Sequence, residues 1–147
     1  AKTVCPKCHF LAMGMPNTTV SVSNEALAAI YNCFDIYVQY ASLEGFGMPV
    51  VEAAACGVPV MATDYSAMSE TTRKLAGVPI PVAYNNIEME SNRNWAYPDN
   101  QKFLELLTQF FALDNNQRMN WGAVTRQKFE LHYNNWGTVG EKWYNVR

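Results

Sequence analysis

The segment from residue 35 to residue 62 constrains the fold more tightly than any other part of the chain. Asp35-Ile36-Tyr37-Val38-Gln39-Tyr40 is rich in β-branched and aromatic residues and reads as a strand. A glycine-containing loop follows, Ser42-Leu43-Glu44-Gly45-Phe46-Gly47. Pro49 suits the first position of a helix, where the N–H it lacks has no intrahelical partner anyway. The helix continues through Val50-Val51-Glu52-Ala53-Ala54-Ala55 and stops at Gly57, a residue favoured just past helix ends. Val58-Pro59-Val60-Met61-Ala62 is nearly all apolar, as expected of a strand covered on both faces. Strand, loop, helix and strand in this order predict a parallel α/β sheet. Ligands of such sheets bind beyond the carboxyl ends of the strands, which is where loop 44–49 falls. The small side chains of Ala53, Ala54 and Ala55 let the helix approach the sheet closely.

The flanks agree with this plan. Ser23-Asn24-Glu25 caps a short helix through Glu25-Ala26-Leu27-Ala28-Ala29-Ile30-Tyr31. Residues 66–75 read as a helix ended by Gly77, and Val78-Pro79-Ile80-Pro81-Val82 as an extended piece whose prolines suit a sheet edge. Residues 85–98 read as a long, polar, irregular loop. Asp99 caps a helix with Phe103, Leu106, Leu107, Phe110 and Phe111 at helical spacing. Another helix starts near Asn115 and carries Met119, Trp121, Val124, Phe129 and Tyr133, and residues 136–146 suit a last short helix with an aromatic face. The domain plan is an irregular, cysteine-containing segment at 1–15 and one Rossmann-like domain at 16–147 that ends in helices.

Composition removes several classes of function. A chain of 147 residues, 49% of them hydrophobic and 16% charged, can bury a real core and suits one domain. A net charge of -2, with no cluster of Lys or Arg, argues against a nucleic-acid partner. No apolar run is long enough for a transmembrane helix. Cys33 and Cys56 lie among small and apolar residues and read as buried free thiols, which suits a reducing, cytoplasmic compartment. The abrupt, cysteine-rich opening of the sequence is the expected look of a piece of a longer protein.

Loop 44–52 is the densest cluster of binding chemistry. Two glycines let backbone approach a ligand without Cβ clashes. The loop enters a helix whose first N–H groups lack partners and whose dipole end is positive, a ready site for a diphosphate. Ionised Glu44 and Glu52 are acceptors suited to vicinal sugar hydroxyls, one before the helix and one in its first turn. A purely structural reading is also open: a glutamate near a helix N-terminus is favourable without any function, and Gly45 and Gly47 suit a simple turn. A dinucleotide fingerprint fails, because Val50 stands where a third glycine is needed.

Ser42-Leu43-Glu44-Gly45-Phe46-Gly47-Met48-Pro49-Val50-Val51-Glu52-Ala53-Ala54-Ala55-Cys56-Gly57-Val58-Pro59-Val60 closely resembles the signature of retaining glycosyltransferases of the GT-B fold, the large family 4-type group. That signature is a Glu, seven residues and a second Glu, continuing into Ala-x-Ala-Cys-Gly-x-Pro-Val. Residues 23–27, 31–35 and 62–70 match the stretches that flank it in the family. The resemblance is strong over roughly residues 20–80 and loose in the helical tail. It implies an α/β, Rossmann-like parallel sheet flanked by helices, the carboxyl-terminal half of a GT-B fold. It implies a nucleotide-sugar donor carrying UDP, GDP or ADP, with Glu44 catalytic and near the donor sugar and Glu52 on the ribose. The backbone of Gly45, Phe46, Gly47, Met48, Pro49 and Val50 then meets sugar and diphosphate. No divalent metal is required for transfer. The acceptor side belongs to an amino-terminal domain, so the chain alone is expected to bind donor and transfer nothing. The family's phosphate-binding Arg and Lys precede the matched region and have no assigned counterpart in this chain.

Cys5-Pro6-Lys7-Cys8-His9 invites a separate reading. A c-type haem site has no export signal to go with it, and a redox pair lacks the neighbouring βαβ pattern. Half of a structural zinc site fits better, with Cys5 and Cys8 as ligands and further ligands upstream; no metal role at all is the alternative. Trp95, Tyr97, Trp121, Trp136, Trp143 and Tyr144 look like a sugar-stacking set, but most read as helix packing, with those at 136–144 suited to an interdomain surface. His9 and His132 read as structural or surface residues. Two other functions compete with glycosyl transfer, a non-catalytic nucleotide-binding α/β module and a zinc-dependent interaction module.

Overall fold

Ten elements follow one another in a computed structural model that describes residues 22–134 apart from residue 91. They are α1 (Asn24–Tyr31), β1 (Tyr37–Gln39), α2 (Met48–Ala55), β2 (Val60–Thr63), α3 (Ser66–Lys74), β3 (Val78–Ile80), β4 (Val82–Glu88), β5 (Arg93–Pro98), α4 (Asn100–Ala112) and α5 (Asn115–His132). The cysteine pair at 5 and 8 and the tail from 136 onward lie outside the described residues.

The centre is a three-stranded parallel sheet in the order β1-β2-β3. All four residues of β2 are buried, which explains its uninterrupted apolar sequence. The proline-bearing β3 is at the sheet edge, where a missing ladder donor does least harm. This is the α/β, Rossmann-like parallel sheet flanked by helices that the sequence predicts. Val50, Ala53 and Ala54 of α2 are fully buried, so these two alanines bring α2 close to the sheet, whereas Ala55 is half-buried and borders a groove beside α1. Burying residues such as Val60 and Met61 stabilises the fold by about 1.5–3 kcal/mol each.

Caps set the helix starts. The side chains of Ser23, Asp99 and Asp114 each accept a backbone N–H of the first turn, and Asp114 and Gln117 complete a reciprocal capping box. α5 crosses back over α2, with Arg126 donating to the carbonyl of Ala55 at the end of that helix. A Cβ on Gly122 would collide with the carbonyl oxygen of Gly57. Trp121 packs edge-on to Phe110 and donates its indole N–H to the carbonyl of Ala76 at 3.0 Å, a helix-packing role.

Several expectations need correction. Residues 85–98 are no irregular loop: β4 and β5 form an antiparallel hairpin, in which Tyr84 faces Tyr97, Asn86 faces Trp95 and Ile87 faces Asn94. A polar composition hid it, because a hairpin with little buried surface needs no apolar alternation. Trp95 and Tyr97 therefore sit on strand β5 of the hairpin, and Tyr97 stacks on Tyr84. Gly77 does not terminate α3 by its conformation. Ala76 takes the left-handed turn, with φ 54°, and Gly77 is required because a Cβ there would lie 2.6 Å from Val60 Cγ2 and 2.7 Å from Val60 O. Cys33 is exposed and Cys56 half-buried, since both follow helix ends, and of the two only Cys56 packs against the core. On α4 only Phe110 is buried, and Phe111 is 54% exposed.

Candidate functional site

Loop 40–47 connects the carboxyl end of β1 to α2, and its last residue decides how the helix begins. Gly47 has φ 82°, a left-handed conformation that favours glycine, while its own Cβ position meets nothing closer than 3.8 Å. The need is conformational, not spatial. Gly45 differs: it faces open space, with no atom within 4 Å of a Cβ placed there. Pro49 is the second residue of α2. The N–H groups of Val50 and Val51 turn back to the carbonyl of Gly47 at 3.0 and 3.4 Å. Among the described residues no acceptor holds the N–H of Phe46, Gly47 or Met48. They lie at and just before the start of α2, the positive end of that helix, after the carboxyl end of β1. Phe46 and Met48, 50% and 53% exposed, leave that space open to a ligand.

Glu44 is held in place from several directions. Its carboxylate accepts from the Gln39 amide at 3.4 Å and from the N–H of Gly45 at 3.2 Å. Its backbone is clamped by Ser66, whose hydroxyl donates to Glu44 O at 3.0 Å and lies 3.3 Å from Glu44 N. Ser66 itself has φ 49°, a strained value for a residue with a side chain. The strain places the first residue of α3 directly against the loop.

Glu52 is the fifth residue of α2, so it belongs to the second turn and not to the first as the sequence suggested; the helix begins at Met48, but Glu52 still lies more than one turn in. Its side chain turns toward α1, where the Tyr31 hydroxyl donates to it at 2.9 Å. The two carboxylates share a neighbour. Tyr37 packs edge-on against Tyr31 with ring centres 5.8 Å apart, and its hydroxyl donates to Gln39, which in turn donates to Glu44. Glu52, Tyr31, Tyr37, Gln39 and Glu44 thus form one chain of contacts across the carboxyl end of β1. The Tyr31 hydroxyl is held well above the usual phenol range by burial first and by its hydrogen bond to Glu52 second. Burial raises Tyr37 as well, helped by the negative charges of Glu52 and Glu44.

A groove between α1 and α2 opens beside Glu52, lined by Asn24, Leu27, Ala28, Tyr31 and Cys56. It is largely apolar with one carboxylate and one amide, a composition suited to a small organic ligand with hydroxyls. Tyr31, Tyr37, Gln39 and Ser66 escaped the sequence reading as site residues. Tyr37 and Gln39 alternate along β1 within the predicted strand, which was a usable signal. Tyr31 and Ser66 gave none, because their roles depend on contacts with residues about twenty positions away.

Among the described residues no cluster of three or more His, Cys, Asp or Glu side chains is arranged to hold a metal ion, and no helix is long and apolar enough to cross a membrane. Cys5 and Cys8 fall outside that set. Among curated proteins none matches the chain. The family model for glycosyl transferases group 1 matches residues 15–128, well over half of the sequence. The chain belongs to that family of glycosyl transferases.

Proposed function

From this membership we propose that the chain is the donor-binding domain of a retaining, family 4-type glycosyltransferase, the carboxyl-terminal half of a GT-B fold. The observation that carries the reading is the junction of loop 40–47 with α2: three N–H groups without an acceptor among the described residues, at and just before a helix N-terminus, near a carboxylate anchored by Gln39 and Gly45. The diphosphate of a UDP-, GDP- or ADP-sugar lies against the N–H groups of Phe46, Gly47 and Met48. The ribose hydroxyls meet Glu52 in the groove beside Tyr31, one oxygen of which is already fixed by the Tyr31 hydroxyl. Glu44 faces the donor sugar.

Transfer then breaks the bond between the anomeric carbon and the diphosphate oxygen through an oxocarbenium-like state. The helix end stabilises the leaving diphosphate, and the charge of Glu44 steadies the sugar. The acceptor hydroxyl bonds through its oxygen to the same face of that carbon and gives its proton to the departing diphosphate oxygen. No divalent metal is needed in this scheme. An amino-terminal domain supplies the acceptor side, so this chain alone binds donor and transfers nothing. Cys5 and Cys8 remain proposed as half of a structural zinc site completed by ligands upstream; the zinc content of a longer form of the protein tests that assignment.

Titration of the chain with UDP-, GDP- and ADP-sugars, followed by thermal shift, tests the donor site. One of the three raises the midpoint, and Glu52→Ala weakens that donor by about tenfold or more, since a hydrogen bond to a charged group contributes roughly 1.5–3 kcal/mol. An unchanged dissociation constant removes Glu52 from the ribose. In the enzyme joined to its acceptor domain, Glu44→Ala abolishes most turnover, and near-normal transfer by that variant refutes the assignment of Glu44.

A further inference from the structure

The hairpin of β4 and β5 does more than link β3 to α4. One of its faces carries Tyr84 opposite Tyr97 and Asn86 opposite Trp95, with Glu88 at the far end. Tyr84 and Tyr97 stack with ring centres 4.7 Å apart and planes 10° from parallel. Tyr84 is 59% exposed, although apolar rings gain by burial. Asn86, Glu88, Trp95 and Tyr97 line a shallow pocket beside the stacked pair. The indole N–H of Trp95 is buried, with no acceptor among the described residues. Such orphan donors are rare in folded proteins and ask for an explanation.

The outer edge of β5 is fastened to the proposed transfer site. The N–H of Ala96 donates to the carbonyl of Ser42 at 3.1 Å, two residues before Glu44. The Tyr65 hydroxyl donates to the carbonyl of Asn94 at 3.0 Å, next to the Ser66 that clamps Glu44. These two bonds hold the edge of β5, and with it the aromatic pairs, beside the loop that carries Glu44.

We propose that this face of the hairpin is a saccharide-binding platform that receives a glycan. A pyranose ring has an apolar C–H face and a rim of hydroxyls. Flat aromatic faces bordered by an amide, a carboxylate and an indole donor match both parts of it. The ligand is a neutral saccharide of two or more residues, one stacked on the tyrosines and the next accepting from Trp95. A role for this glycan beside the acceptor that the amino-terminal domain supplies rests on the transfer reading above; its binding does not.

The indole N–H resonances of the chain report the test directly. Maltotriose, cellotriose, mannotriose and chitotriose are each titrated up to about tenfold above 1 mM, the scale on which a small stacking site binds. At least one of them shifts the Trp95 resonance saturably, while that of Trp121, bonded to Ala76, stays in place and reports an intact fold. Tyr84→Ser weakens binding about fivefold or more, and Trp95→Phe, which keeps a ring face and removes the donor, weakens it by a smaller factor. No movement of the Trp95 resonance with any of the four sugars overturns the proposal. So does movement with protein concentration alone, which means that a second copy covers the face. A parallel titration with UDP, GDP and ADP separates the two readings: sugar binding without nucleotide binding sinks the donor site and leaves the platform, and the reverse sinks the platform only.

Discussion

The two sheets of this protein are built on opposite terms. In the parallel sheet β2 is wholly buried, and its neighbours are fixed by side chains from α2 and α3. Among the described residues of the hairpin only Ala96 is buried, and Ile87, Tyr84 and Met89 are exposed at 60%, 59% and 97%. The first sheet draws its stability from removing apolar surface from water. The second keeps its shape through ladder bonds, the stacked tyrosines and its fastening to Ser42 and Tyr65. An isolated two-stranded hairpin is marginal in water. Keeping aromatic rings exposed on one is what a binding surface requires and what a scaffold avoids.

The contrast breaks most visibly at two glycines of the core. Gly77→Ala and Gly122→Ala each drive a methyl group into backbone, at Val60 and Gly57 respectively, and are expected to cost about 3 kcal/mol or more in urea denaturation. A loss below 1 kcal/mol would mean that the close packing around β2 is wrong. Next, Val60→Ala in β2 should cost about 2–3 kcal/mol, whereas Ile87→Ala in β4 should stay within about 0.5 kcal/mol. Equal costs would erase the distinction between the sheets. Tyr84→Ala removes one cross-strand ring pair and should cost under about 1 kcal/mol, yet it should accelerate amide exchange across β4 and β5 and leave β2 protected.

The smallest expected effect concerns Asp64, at the end of β2. Arg73 donates to both of its oxygens, and this hydrogen bonding holds the Asp64 carboxyl below the usual carboxylate range. A lowered folded-state pKa contributes stability above the unfolded pKa, and that contribution is lost as pH falls through the folded value. The pair is partly exposed, 51% and 29% for its two side chains, so its worth is about 1 kcal/mol at most. The denaturation midpoints of wild type and Asp64→Asn should differ slightly at neutral pH and converge in acid. A gap that persists in acid would point to packing instead of charge.

The legible parts of the fold were those written locally. Ser23 and Asp99 announce helix starts through side chains that reach only three residues ahead. The apolar run of β2 and the prolines of β3 announce a buried strand and an edge. The hairpin was illegible because its residues are polar and its turn, with Asn92 at φ 51°, lacks a glycine to mark it. Of the site, the glycine loop and its two glutamates stood out in the sequence. The second-turn position of Glu52 did not, because a helix start that lacks a capping side chain is set by the backbone of Gly47.

By itself the sequence determined the order of strands and helices outside the hairpin, the parallel sheet and the family, since each rests on periodicity, caps or a contiguous signature. Only the tertiary structure decided that Tyr31 holds Glu52 across 21 residues, that Ser66 clamps Glu44 across 22, and that the hairpin edge joins Ser42. The physical reason is range. Hydrogen bonding and hydrophobic patterning along one element leave a local trace, whereas a contact between distant elements depends on how the whole core packs and leaves none.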